Sequence, residues 1–171
     1  MTPTTFGIVV ATAIYCVYNT VSLAQFGVPH SLSMTYYHWK NKCKAGFLFP
    51  IMMYLVVAFM MPAWISMSEG SAFQFLAFLA PAAIAFVGTA PAFLSSDLEN
   101  KVHSISAVIA AACSLLWVGL MTPYWWITIG IWTAVCALYA VLTKTVKTSY
   151  TYWLETIAFG ATFTATIAYS M

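Results

Sequence analysis

Most of the ionisable chemistry of this 171-residue chain sits on three histidines, His30, His38 and His103, and four acids, Glu69, Asp97, Glu99 and Glu155. Imidazole placed beside carboxylate can ligate a metal ion, move a proton or bond a polar headgroup. The stretch from Pro91 to His103 is the richest in such groups. Ser96 followed three residues later by Glu99 has capping-box spacing, which places a helix start near Asp97. Asp97 and Glu99 also suit the positive end of a helix dipole. Capping does not account for His103, nearly two turns further in. At helical spacing Glu99, His103, Ser106, Ala110 and Ser114 form one stripe of small or polar groups, which packs against neighbouring helices and not against lipid.

Glu155 is the third unusual residue. It lies near the start of the last apolar run, with Thr151, Thr162 and Thr166 on its face. A carboxylate at the centre of a spanning helix costs about 2.5 to 3.5 kcal/mol, less toward the end, so it needs a partner or an interior position. Asn19 adds an internal polar group to the first apolar run, with Tyr15 and Ser22 beside it. His30 and His38 lie in the long connection that follows. That connection is read either as an interfacial half-helix with Tyr36, Tyr37 and Trp39 among headgroups, or as a lid that folds back and delivers a histidine. The candidate site is therefore His30, His38, Asp97, Glu99, His103, Glu155 and Asn19.

The elements that must position these residues follow from composition. The chain is 63% hydrophobic and 6% charged, against roughly a quarter charged in an ordinary soluble domain. Too few polar groups are available to cover a surface in water, so lipid is the expected solvent. A spanning helix needs roughly 20 mostly apolar residues, and six segments qualify: 6–26, 47–67, 72–93, 98–120, 124–143 and 152–169. Turn residues separate them: Gly27 and Pro29, Ser68 to Ser71, Ser95 to Asp97, Thr122-Pro123, and the stretch from Lys144 to Thr151. Pro62 and Pro81 are expected to kink their helices. The expected fold is an all-α, polytopic six-helix transmembrane bundle in a single domain.

All six basic residues are lysines: Lys40, Lys42, Lys44, Lys101, Lys144 and Lys147. With six spans they occupy the first, third and fifth loops. This asymmetry puts those loops in the cytoplasm and both termini on the non-cytoplasmic side. The candidate site then opens toward the cytosol or inner leaflet. No lysine precedes the first apolar run, which is read as a retained helix and not a cleaved leader. Cys16, Cys43, Cys113 and Cys136 show no CxxC spacing, and no structural disulfide is expected. The net charge of +2 and the absence of a long basic run argue against nucleic acid.

The run Pro91 to Ala107, a proline, an acid, then Val-His-x-x-x-Ala opening a helix, resembles uncharacterised six-span bacterial membrane proteins and, through them, the Frag/DRAM-like group. The resemblance covers 17 of 171 residues. It implies a six-helix bundle and a link to lipid biology, and it carries over no catalytic residue; the expected location is a bacterial cytoplasmic (inner) membrane. More distantly, the chain resembles the membrane hydrolases that include alkaline ceramidases, usually seven-span and zinc-holding; it lacks their paired histidines on one helix.

Three functional readings follow. The first is an accessory protein that binds membrane lipid or a membrane partner through the polar cluster. The second is a metal-dependent lipid hydrolase. In it zinc is held by His103 with a loop histidine and a carboxylate, His30, His103 and Glu155 being the leading set. The third is a small homo-oligomeric channel or transporter using Glu155 and His103. A bis-histidine haem site would need a second histidine securely inside a span, and only His103 is so placed.

Overall fold

A computed structural model describes residues 2–171. The described residues are all-α, with seven helices among them: α1 (Pro3–Phe26), α2 (Thr35–Cys43), α3 (Leu48–Met67), α4 (Leu76–Thr89), α5 (Asp97–Met121), α6 (Trp125–Leu142) and α7 (Tyr150–Ser170). A single 3-10 turn, Leu32–Met34, leads into α2.

Local chemistry sets the boundaries. Thr2 caps α1 by accepting the Thr5 N–H at 3.1 Å, and Pro3, with no N–H to leave unsatisfied, opens the first turn. Gly27 ends α1 at φ 75°, a left-handed conformation that glycine adopts without steric cost. Ser96 caps α5, accepting the Glu99 N–H at 3.2 Å, so the helix starts at Asp97 as the capping box implies. The Glu99 carboxylate takes the Ser95 hydroxyl.

Four helices, α1, α3, α5 and α6, are long and apolar enough to cross a membrane. The other two long segments depart from the expected pattern. Helix α4 covers only 14 residues of the expected 72–93 segment, about 21 Å at 1.5 Å per residue. Its end is fixed by Pro91, which disfavours helical backbone at Ala90; Ala90 sits at φ −108°, ψ 57°. Helix α7 has 21 residues, but Glu155 and its threonines lower its hydropathy. The long first connection is no loose loop, since it contains α2.

Helices α1 and α7, α3 and α4, and α4 and α5 pair antiparallel. Thr5 Oγ1 at the start of α1 donates to the Ser170 carbonyl at the end of α7 at 3.0 Å, while Tyr152 at the start of α7 donates its hydroxyl to Asn19 Oδ1 of α1 at 3.0 Å. Tyr54 of α3 meets Thr89 at the end of α4, and Ala90 after α4 meets His103 near the start of α5. Ile8, Ala11, Phe49, Val56, Ala77, Ala80 and Trp117 fill the centre. Helix α6 lies outside this group, packed mainly on α7. There Trp132 lies on Gly160, where a Cβ would come within 2.3 Å of the indole, and its Nε1 donates to Thr164 Oγ1 at 3.2 Å.

The exterior is apolar. Val108, Leu138 and Leu154 are 69%, 62% and 61% exposed, the inverse of what water would tolerate over a whole bundle. The first, third and fifth connections gather at one end. The Leu94 N–H donates to Tyr37 Oη at 2.8 Å, and the Tyr152 N–H donates to the His30 carbonyl at 3.1 Å. The six lysines accordingly share that end.

Candidate functional site

His103 is held on three sides. Its position on α5 turns it toward the end of α4, where Pro91 has terminated the helix and left the Ala90 carbonyl without a helical partner. Nδ1 lies 3.0 Å from that carbonyl. The Phe93 ring stacks on the imidazole at 4.5 Å between centroids. Nε2 lies 2.8 Å from Ser33 Oγ. A carbonyl can only accept, so Nδ1 carries a proton and donates it; in the neutral ring Nε2 is then the acceptor for the Ser33 hydroxyl.

Ser33 reaches this position because the segment from Gly27 to Thr35 folds back over the bundle. Ser31 caps the 3-10 turn, accepting the Met34 N–H at 3.3 Å. The Leu32 N–H donates to Glu155 Oε2 at 2.6 Å, and Thr35 Oγ1 donates to the Leu32 carbonyl at 2.5 Å. Tyr18 Oη and Thr35 Oγ1 are bonded at 2.6 Å, and Trp39 Nε1 donates to Ser22 Oγ at 2.9 Å. The turn is therefore tied to α1, α5 and α7 at once. Leu32, Ser33 and Thr35 are 1%, 3% and 1% exposed.

Beneath the turn lies a narrow cavity of about 70 Å³ between α3, α4, α5 and α7. Met53, Val56, Met60 and Trp64 line it along α3, a stretch of about 16 Å at the helical rise. Ile84 and Val87 of α4, Ala107 and Ala110 of α5, and Phe159 and Phe163 of α7 complete the apolar walls. Ser33 and Glu155 form the polar edge at the lysine-bearing end, while Ser114 and Thr162 lie further down. The α3 and α4 walls are almost wholly buried. Ala107 and Ala111 of α5 and Ala158 and Phe159 of α7 are half-exposed, so the cavity opens sideways between α5 and α7. Trp64 Nε1 and Thr162 Oγ1 are buried with no hydrogen-bond partner.

Of the residues singled out in the sequence, His103, Glu155 and Asn19 enter this buried network, Asn19 through Tyr152. The stripe of His103, Ser106, Ala110 and Ser114 is buried. His30 contributes only its carbonyl; its ring is exposed and stands edge-on to Tyr150 at 6.0 Å. His38 stacks on Phe26 at 5.5 Å, and Asp97 is exposed in the first turn of α5. The candidate metal ligands His30, His103 and Glu155 do not gather into one cluster. Among the described residues no group of three or more His, Cys, Asp or Glu side chains could hold a metal ion. His103 spends both ring nitrogens on Ala90 and Ser33, and a backbone N–H holds Glu155. The segment folds back over the bundle and brings Ser33 and the Leu32 N–H to the site, not His30 or His38.

Ser33, Tyr152 and the Ala90 carbonyl are the participants that the sequence reading missed. Pro91 was the available signal for Ala90, since a proline there frees a carbonyl beside a histidine-bearing helix. Comparison with known protein families, with characterised proteins and with solved structures finds no match.

Chemically, the arrangement offers an apolar slot, a hydroxyl bonded to an oriented imidazole, and a carboxylate at the same rim.

Proposed function

We propose that the protein spans the membrane with six helices, α1 and α3 to α7, and binds a membrane lipid by one acyl chain in the α3–α4–α5–α7 cavity. The single observation that supports this most is the cavity's polarity: apolar walls along α3 and α4, ending in Ser33 and Glu155 at the lysine-bearing end. The chain lies along Met53 to Trp64, and its carbonyl or headgroup reaches Ser33. The sideways mouth between α5 and α7 lets lipid arrive from within the bilayer. Lys40, Lys42 and Lys44 on and just after α2 then face anionic headgroups. The lysine asymmetry supports a cytoplasmic position for that end, with both termini outside, in a bacterial cytoplasmic membrane.

A channel is less well supported. The slot is apolar along most of its length, and its polar groups collect at one end, so no continuous hydrated path follows from it.

Protein purified in mild detergent is expected to carry lipid detectable by native mass spectrometry. A photoactivatable fatty acid is expected to crosslink to residues of α3, α5 and α7 that line the cavity. Ala110→Phe, which fills the cavity from α5, is expected to abolish both signals. Crosslinks confined to the outer faces of α6 or α1, unaffected by Ala110→Phe, would overturn this reading.

A further inference from the structure

We propose that Ser33 and His103 form a metal-independent nucleophile–base pair that accepts the acyl group of an ester or thioester lipid bound in the cavity. The inference rests on the acyl-lipid reading above and adds a reaction to it.

Three observations carry it. Ser33 Oγ and His103 Nε2 are 2.8 Å apart, within the reach a base needs to take a hydroxyl proton. The far side of the imidazole is fixed, Nδ1 to the Ala90 carbonyl at 3.0 Å, so the tautomer presenting Nε2 as acceptor is the one the surroundings enforce. Ala90 here performs the orienting task that a carboxylate performs in a serine triad. Ser33 also borders the acyl slot. A bond serving only to fasten the turn has no need of that placement, because Glu155, Tyr152 and Tyr18 already fasten it.

The step balances as acyl transfer. Ser33 Oγ adds to the acyl carbonyl carbon while its proton passes to His103 Nε2. The carbonyl re-forms as the bond to the alcohol or thiol breaks, and Nε2 returns the proton to that leaving group. The acyl chain is then esterified to Ser33. Water, or an acceptor alcohol, attacks this ester with its proton taken by Nε2; Ser33 leaves and recovers the proton, releasing a fatty acid or a new ester. Glu155 is a positioning residue: through the Leu32 N–H it holds the turn that carries the nucleophile.

The test uses the full chain in detergent or nanodiscs and a long-chain alkyl fluorophosphonate, which phosphonylates activated serines. Peptide mass spectrometry is expected to find the adduct on Ser33 of the wild-type protein. His103→Gln is expected to slow labelling about 100-fold, the lower bound for loss of a positioned base, with its melting temperature measured alongside. If His103→Gln does not fold, Pro91→Ala serves in its place: it lets α4 run on and withdraws the Ala90 carbonyl, so slower labelling is expected. An unchanged labelling rate in a folded His103→Gln or Pro91→Ala protein overturns the pairing. No Ser33 adduct in protein whose cavity still crosslinks the photoactivatable fatty acid overturns the nucleophile and leaves the lipid site standing. Absence of both signals overturns the two readings together.

Discussion

Glu155 is a carboxylate in an apolar helix whose bonded partner is the Leu32 N–H at 2.6 Å. Removing the acceptor leaves that N–H inside the bundle end, at a cost of about 1–3 kcal/mol. Glu155→Ala is therefore expected to lower thermal stability and to speed amide exchange through residues 30–35. Glu155→Gln keeps a carbonyl acceptor and is expected to stay close to wild type; hydrogen exchange read by mass spectrometry separates the two. Helical periodicity in the sequence placed Glu155, His103 and Asn19 on inward faces, because a polar side chain in lipid has few other places to go. It did not reveal their partners. Two of these are backbone groups, Leu32 N–H and Ala90 C=O, which leave no trace in residue type. The other two, Ser33 and Tyr152, lie 70 positions from His103 and 133 from Asn19, and no spacing rule links residues so far apart.

At the scale of helices, hydropathy marked six apolar segments because each is long compared with the turns between them. It overstated the third, since a hydropathy window counts side chains while Pro91 acts on the backbone of Ala90. Helix α6 could be located but not placed. Its attachment depends on Gly160, whose missing Cβ admits the Trp132 ring, and nothing in the local sequence pairs those two positions. Gly160→Ala puts a methyl where the indole sits, closer than real contacts permit. It is expected to cost about 1–3 kcal/mol and to loosen α6 from α7 while leaving the cavity intact. Quenching of Trp132 fluorescence by a lipid-phase quencher is expected to rise in that variant, with fatty-acid crosslinking of α3 unchanged.

At the scale of the whole molecule, one end carries every lysine and the opposite end carries both termini. Cys43, exposed at the end of α2, offers a native reporter of orientation. A membrane-impermeant maleimide is expected to label it in inside-out vesicles and to spare it in intact cells. A cysteine introduced at Ser71, in the connection beside Met121, is expected to show the reverse. Labelling of both positions from the same side overturns the six-crossing arrangement.

The shortness of α4 has a consequence for the membrane itself. Its flank presents Phe75, Phe78, Leu79 and Phe86 outward, yet the helix extends only about 21 Å where a bilayer's hydrocarbon is roughly 30 Å deep. If α4 crosses the bilayer as proposed, lipids bordering that flank are expected to tilt or shorten to meet it. On the six-crossing proposal, the melting temperature in nanodiscs is expected to climb as lipid tails are shortened from eighteen carbons toward about fourteen.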